Sequence, residues 1–437
     1  MRLSALHDAR VAAHLGAALG VCFGVVFLTG IFSHLLQHPG PLTLPALPAA
    51  TYRVTQGVHV ITGVATGPLL LAKLWTVYPK FWAGLRELRD GLPRPGAPAR
   101  RAGQWLSCAA GRGMLIPLTG GAIFQVVTGL ANIAYWYPFP FFFTVAHYWT
   151  AYIVVGALIV HVTNEWTTAR HALSHPTTAG NRQEGTVREA LAAGDRQERA
   201  GREALAAGDS RSGEPGESPP AGGEGERAPG EVLAGTRDGL SRRGFLWSVG
   251  GASGVLVATT VGEVVTPVRK LAVLAPRRDG AGQRGLPVNR SAVAAGIAVP
   301  DAYRLRVRGA VAREKAWSLN ELNALPRHTM ALPIACVEGW SAGARWTGVR
   351  VRDLLRAAGA PEDATVRMES LERGGRYRTS ELSPPQWHDP AALVALRCDG
   401  EVLTLDHGYP CRLIAPGRPG VLQTKWLAEI VVTGRAS

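Results

Sequence analysis

Ser241-Arg242-Arg243-Gly244-Phe245-Leu246 opens an uncharged run from Phe245 to Gly262, and its reading decides the fold because the chain changes character on either side. Upstream lie long apolar runs that carry histidines. Downstream lie short β-branched stretches separated by Gly and Pro. At 437 residues, 46% of them hydrophobic, the chain is long enough for two or three domains. The arginine pair therefore marks the boundary between a membrane part and a soluble part, and the Gly/Ser/Thr-rich run after it predicts a crossing between the two.

Working upstream, Val11 to Leu36, Val54 to Ala72, Met114 to Trp136 and Phe141 to Val162 contain no charged residue. Each reaches the roughly 20 residues needed to cross ~30 Å of hydrocarbon, so four membrane helices are expected within residues 1–175. The connection from Gln37 to Tyr52 is uncharged, whereas that from Tyr78 to Gly113 carries Lys80, Arg86, Arg89, Arg94, Arg100, Arg101 and Arg112 against Glu87 and Asp90. The positive-inside rule puts the N-terminus, this second loop and the end of the fourth helix in the cytoplasm. The formal charge of +14 comes mostly from arginines dispersed in loops beside apolar runs, so it reads as membrane topology and not as a nucleic-acid surface. The five cysteines, Cys22, Cys108, Cys336, Cys398 and Cys411, form no CxxC or CxxCH, so neither a zinc knuckle nor covalently attached haem is indicated, and a disulfide framework is not expected.

Between Thr167 and Gly244 there is no Phe, Trp or Tyr, and Arg-Glu-Ala-Leu-Ala-Ala-Gly-Asp occurs at 188–195 and again at 202–209. Residues 176–240 are read as a disordered cytoplasmic linker with too little apolar surface to fold alone. It delivers Arg242-Arg243 to the cytoplasmic face. There, followed by a moderately apolar segment, they resemble a twin-arginine export signal, which implies the export machinery as a partner. Residues 241–268 are then the signal and a fifth membrane helix, and residues 269–437 a mixed α+β domain outside the membrane. Within it Tyr303–Val307, Thr365–Met368, Cys411–Ala415 and Glu429–Thr433 are expected strands and Val351–Ala358 an expected helix.

His147 and His161 lie 14 residues apart on the fourth helix, ~21 Å of rise and about 40° short of whole turns, so they project from one face at two depths. His59 matches the depth of His147, and His14 that of His161. Four imidazoles at two matched depths suit two haem irons better than isolated buried polar residues, because each imidazole in lipid needs a partner. This arrangement resembles the di-haem cytochrome b subunit of formate dehydrogenases and the related bacterial cytochrome b561 group, over about residues 1–175. The resemblance implies two haem b groups in a four-helix transmembrane bundle, an outer one on His59 and His147 and an inner one on His14 and His161. His7, His34 and His38 are alternative ligand candidates, His34 for the outer site.

In the exported part the central stretch is Ile334-Ala335-Cys336-Val337-Glu338-Gly339-Trp340-Ser341, followed by Trp346-Thr347-Gly348-Val349. A thiolate is a soft ligand suited to a metal already held by sulfur, whereas a lone cysteine in an apolar strand is ordinarily a small core residue. The surrounding residues reverse that expectation. They resemble the molybdenum-ligand segment of the sulfite oxidase family, in particular periplasmic methionine-sulfoxide reductase catalytic subunits. A second match runs from Asp406-His407-Gly408-Tyr409-Pro410-Cys411-Arg412 to Gln423-Thr424-Lys425-Trp426-Leu427. The resemblance implies a molybdenum–molybdopterin cofactor with Cys336 as catalytic metal ligand. His407, Arg412, Gln423, Thr424 and Lys425 would contact the pterin and its phosphate, with Ser370 and Asn289 joining them. Leu396 stands where sulfite-oxidising members carry a tyrosine, and Cys336 is not followed by an arginine-containing segment, both of which argue against an anionic sulfite pocket.

The expectation is a membrane-bound molybdopterin oxidoreductase of the bacterial plasma membrane, multi-pass, with an extracytoplasmic catalytic domain. It would exchange electrons with quinone or quinol through b haems and reduce a small-molecule or oxidised-protein substrate by oxygen-atom transfer. A sulfite-type oxidase feeding quinone and a non-catalytic membrane electron carrier are the alternatives. Membrane lipid is an expected partner and nucleic acid is not.

Overall fold

A computed structural model describes residues 5–38, 48–91, 113–134, 136–174, 241–260, 270–273, 282–337 and 339–435. The expected linker with its repeated octapeptide, most of the arginine-rich second loop, Cys108 and Glu338 lie outside these residues. The chain divides into one unit of Met1–Glu165 with Arg242–Ser437 and a second of Trp166–Ser241.

Four helices are long and apolar enough to cross a membrane: α1 (Ala9–Gln37), α2 (Thr51–Asp90), α3 (Leu115–Ile133) and α4 (Phe143–Ser174). Asp8 caps α1 by accepting the Arg10 N–H, leaving one of the four orphan donors of a helix start satisfied. The helices meet on Leu19 and Phe23 of α1, Leu70 of α2, Ala122 of α3 and Val154 of α4. Their opposite faces leave Val21, Leu28, Leu71, Ile116, Trp149 and Ile159 exposed, an apolar surface suited to contact with lipid. α2 runs on to Asp90, well past the apolar run that ends at Ala72. Hydropathy marks only the part that needs lipid, and residues such as Lys80, Arg86 and Glu87 continue a helix readily in water.

The fifth helix, α5 (Arg242–Thr260), starts at the arginines themselves, slightly before the expected Phe245. It is not among the four most apolar helices, but it packs along α2, where Ser253 Oγ donates to the Ala65 carbonyl at 3.0 Å. Val249 joins Val11, Leu15 and Ala72 in a small cluster. Arg242 reaches Asp8 at 2.7 Å, so the start of α5 and the start of α1 share one end of the bundle.

The C-terminal domain has two five-stranded sheets. Ten strands contribute: β1 (Arg304–Gly309), β2 (Lys315–Ser318), β3 (His328–Ala335), β4 (Ser341–Arg350), β5 (Ala364–Ser370), β6 (Thr379–Leu382), β7 (Leu393–Cys398), β8 (Glu401–Val402), β9 (Arg412–Ile414) and β10 (Leu427–Arg435). One sheet has the order β2-β1-β10-β5-β6, the other β3-β4-β7-β8 with β9 also paired to β7. Three short helices, α6 (Leu319–Ala324), α7 (Val351–Ala358) and α8 (Pro384–His388), connect them. The four expected strands appear as β1, β5, β9 and β10, shifted by a residue or two at their ends, and α7 has the expected bounds.

β7 explains how two cores fit into one domain. Its residues alternate across the strand, Val394 and Leu396 entering the larger core with α7 and β10, and Leu393, Ala395 and Cys398 entering the second core with β3 and β4. That second core holds Cys336 and Trp340, so the candidate ligand stands in the turn between β3 and β4 with its side chain packed into that core. Trp387 closes the larger core, fully buried, with its indole N–H on the Ala364 carbonyl at 2.8 Å. Trp387→Ala should cost the domain roughly 3–5 kcal/mol by leaving a cavity and an orphaned carbonyl. The check is a lowered unfolding midpoint of the β-rich domain, with the helical signal of the membrane bundle retained.

Candidate functional site

Cys336 follows β3 directly and closes a tight turn into β4. Its N–H donates to the Trp340 carbonyl at 2.9 Å, and the Gly339 N–H donates back to the Cys336 carbonyl at 3.1 Å. The Trp346-Thr347-Gly348 stretch then serves packing. Trp346 is fully buried with its indole N–H on the Leu332 carbonyl. A side chain at Gly348 would meet the Val394 carbonyl oxygen at 2.0 Å, so only glycine lets β4 approach β7 at this bulge.

A cavity of about 150 Å³ opens beside this turn and gathers all the residues that the motifs single out. Cys336 lines it together with Asn289, Ser370, His407, Arg412, Gln423, Thr424 and Lys425. These come from five separate stretches of chain. Ser370 at the end of β5 donates to the Lys425 carbonyl at 2.8 Å, and Thr424 shares a hydrogen bond with Ser380 at 2.7 Å. The Gln423 side chain accepts from the Ala415 N–H and donates to the Arg418 carbonyl.

The charges inside are what the cavity leaves unbalanced. Arg412 is buried, its amino groups donating to the carbonyls of His407 at 3.0 Å and Gln423 at 3.2 Å and its guanidinium 5.2 Å from the Trp346 ring centroid, while Nε has no partner. Lys425 donates to the carbonyls of Arg290 and Asp406. Neither is in an ion pair among the described residues. Burial lowers Arg412 to about 10, and burial followed by the Arg412 charge lowers Lys425 to about 7. Burial, with Arg412 and Lys425 beside it, holds His407 near 4, so its ring is neutral and Nε2 accepts the Gln283 N–H at 3.0 Å. Two cations at a cavity wall without a carboxylate partner form a receptor for an anion such as a phosphate, because an unpaired buried charge is costly. The donor set therefore fits a pterin phosphate, with the Cys336 sulfur available to a metal.

The wall also holds residues that no motif announced. Arg376 and Tyr377 enter from the segment between β5 and β6, Glu372 pairs with Arg290 at 2.6 Å, and Phe142 reaches in from the turn before α4. Arg376 lies 5.2 Å over the Phe142 ring and meets His38 at 3.0 Å. The pocket thus contains an arginine and a tyrosine after all, supplied by a loop and not by the ligand segment, while Leu396 is core. Long polar residues in a loop gave no sequence signal for this placement.

In the bundle, His59 and His147 face one another with ring centroids 6.2 Å apart, in a cavity of about 450 Å³, within the roughly 300–1,000 Å³ usual for cofactor clefts. His59 Nδ1 lies 3.0 Å from the Val26 carbonyl, so this nitrogen carries the proton. Thr128 gives its own proton to the Phe124 carbonyl, so its oxygen accepts from His147 Nδ1 at 2.9 Å. Both rings thereby keep Nε2 as a free lone pair, the arrangement typical of metal-ligating histidines. Two metal–imidazole bonds of about 2 Å plus two ring radii of about 1.1 Å give a centroid spacing near 6 Å, so the pair fits one shared metal. His34, the alternative outer ligand, instead stacks on Tyr148 and His38. At the other depth His14 turns Nδ1 onto the Arg10 carbonyl, also leaving Nε2 free, but no ring contact joins it to His161 among the described residues. Lys73, with its ammonium on the Ala12 carbonyl, lies near this level. His7 packs against Trp75 and Tyr78.

The lowered Lys425 value has a consequence for stability. Between about pH 7 and the ~10.4 of an unfolded lysine, the unfolded chain binds a proton that the anion-free cavity has released. The anion-free domain should therefore gain stability as the pH rises through this window and carry the full penalty below it. Lys425→Met should flatten that slope. Urea unfolding of the anion-free protein at about pH 6 and about pH 9 measures both.

Residues 292–437 match the family described as oxidoreductase molybdopterin binding domain. The chain is 35% identical over 131 residues to the "Putative protein-methionine-sulfoxide reductase subunit YedZ1" of Azospira oryzae, covering 30% of this chain and 49% of that protein. It is 31% identical over 163 residues to the mitochondrial sulfite oxidase of Drosophila melanogaster, covering 32% of this chain and 28% of that one. It is 33% identical over 162 residues to the nitrate reductase [NADH] of Volvox carteri, covering 30% and 19%. The chain thus spans about half the length of the first relative and less than a third of the other two. Residues 292–437 thus match an oxidoreductase molybdopterin-binding domain and include Cys336, Arg412 and Lys425 of the cavity, and the chain is similar over 32% of its length to a sulfite oxidase.

Proposed function

We propose that this chain is a quinone-linked, membrane-bound molybdenum oxidoreductase that reduces an oxidised substrate outside the bacterial plasma membrane by oxygen-atom transfer. The observation that carries the reading is the convergence of Cys336, Arg412 and Lys425 on one cavity, while the rings of His59 and His147 share a second cavity with their centroids 6.2 Å apart. Bound there, the molybdenum cofactor supplies a two-electron centre for moving one oxygen atom. Cys336 holds the metal by its thiolate. Arg412 and Lys425 hold the pterin phosphate by forked and point-charge donors. His407, Gln423, Thr424, Ser370 and Asn289 orient the pterin.

Overall the reaction is X=O + 2H⁺ + 2e⁻ → X + H₂O, with the electrons and an equal number of protons released by a quinol as it becomes a quinone. His59 and His147 hold an outer haem b. His14 and His161, the latter 14 residues beyond His147 on α4 and the former at a matching depth on α1, would hold an inner one, so that electrons would cross the bundle singly. The Arg242-Arg243 pair directs the export machinery to carry the catalytic domain outward. A sulfite-type oxidase running electrons the other way is the second reading, favoured by Arg376 and Tyr377 in the cavity wall.

Cys336→Ser should keep the domain folded and the pterin bound, since the phosphate donors remain, yet lower turnover by more than about 100-fold because the hard hydroxyl replaces a soft ligand. Molybdenum and pterin quantitation beside a substrate screen, read through haem absorbance, tests this. Native turnover in that variant would sink the assignment. His147→Ala should remove one b-type haem and leave a second spectrum, and pyridine haemochrome quantitation shows whether the count falls.

A further inference from the structure

The turn that carries Cys336 does not end in solvent. The carbonyl of Val337, the next residue, accepts from Gln56 Nε2 of α2 at 3.1 Å and from Asn132 Nδ2 of α3 at 3.4 Å. Both amides are held in the donating orientation. Ser33 Oγ donates to the Gln56 side-chain oxygen at 3.0 Å, and Tyr137 Oη donates to that of Asn132 at 3.2 Å, so in each amide the NH₂ is the end left to face Val337. Ser33 and Gln56 are buried, which makes this a built receptor for one peptide oxygen.

The same helical turns hold the facing imidazoles. Gln56 is one turn before His59, and Asn132 is one turn after Thr128, which fixes His147. The approach is close enough to demand glycine at 339. Its φ is +95°, and a side chain there would come within 2.8 Å of Val60, the neighbour of His59.

We propose that Gln56 and Asn132 are positioning residues that clamp the metal-ligand turn onto the helices of the outer histidine pair, and that single electrons pass between the two redox sites through this junction. The proposal rests on the function proposed above. With both groups bound, the histidine-held haem would supply one electron per crossing and the Cys336-held metal would receive it, so the clamp residues would set the approach between the two sites. Two crossings accompany each oxygen atom transferred, and the quinol supplies both electrons. No soluble carrier is needed between the sites.

The test uses the full holoenzyme in detergent, with haem and molybdenum content measured first. Because Gln56 and Asn132 also line the histidine cavity, haem content, spectrum and midpoint potential of Gln56→Leu/Asn132→Leu are measured beside those of the parent, and transfer rates are compared at the measured driving force. The double variant should speed hydrogen exchange of the amides at 336–340 by about tenfold, because the turn has lost its two donors. After flash photoreduction of the haem, with no substrate present, electron arrival at molybdenum should slow by at least about tenfold, read as haem reoxidation and growth of the molybdenum EPR signal. Gly339→Ala, which alters no histidine-cavity residue, should slow transfer in the same way if the double variant loses haem. Parent-like transfer despite faster exchange would overturn the proposal, as would unchanged exchange. Absence of haem or molybdenum from the parent would instead overturn the proposed function, while the exchange measurement would still judge the clamp.

Discussion

The Arg412 guanidinium lies inside the C-terminal domain, spread between the carbonyls of His407 and Gln423 with its face toward Trp346. A charge so placed costs more than two hydrogen bonds return unless its surroundings are fixed around it. Several features of the domain follow from holding it. The segment through Asp406 and His407 and the segment through Gln423 and Lys425 must approach from two sides, each offering backbone oxygen. Trp346 must be buried beneath, and Gly348 lets the strand bearing it close against β7. Asp406 is not spent on either cation but accepts the Ala292 N–H, which ties the segment ahead of β1 to the same site. The interior is thus left with positive charge facing a cavity, a cost that a stable domain carries only where an anionic ligand offsets it.

The membrane bundle obeys the same rule with imidazoles in place of guanidinium. Its polar side chains are paired to backbone or hydroxyl oxygen: Lys73 to Ala12, His14 to Arg10, His59 to Val26, Thr128 to Phe124. For His59 and His147 this pairing uses only Nδ1. The second nitrogen of each ring has no hydrogen bond among the described residues, and the two rings share one cavity with centroids 6.2 Å apart, which leaves hydrogen-bonding capacity unused in an apolar medium.

How much of this was legible depended on whether a residue's role follows from its neighbours in sequence. Cys336, Arg412 and Lys425 sit in stretches whose resemblance to the metal-ligand and pterin-phosphate segments of the sulfite oxidase family implied a shared site, and all three line one cavity. The depth match of His59 with His147 follows from helical rise alone. The parallel pairing of β1 with β10 could not be read, because it joins the two ends of the domain through the contacts of everything between them. Arg376, Tyr377 and Phe142 were missed for a related reason: they are loop residues aimed by tertiary packing, and nothing in Gly375-Arg376-Tyr377 distinguishes them from other surface loops. The extension of α2 to Asp90 was missed because hydropathy does not mark its last turns, where Lys80, Arg86, Glu87 and Arg89 are good helix formers.

The same distinction decides the status of α5, whose Gly and Ser content keeps it below the other four helices in apolarity. Arg242 on Asp8 fixes its start at the end of the bundle where α1 begins. The C-terminal domain touches the other end, through His38 after α1, Gln56 near the start of α2, Asn132 at the end of α3 and Phe142 before α4. Four antiparallel helices return the chain to the end at which it began. An odd number of passages is needed to leave it at the far end, and the 19 residues of α5 rise about 28 Å, close to the ~30 Å of a hydrocarbon layer. Its small residues suit the task, since a helix packed along α2 through Ser253 gains by close backbone approach what it lacks in apolar side chains. The path of the chain, and not hydropathy, accounts for α5 running along α2 from the end where α1 begins.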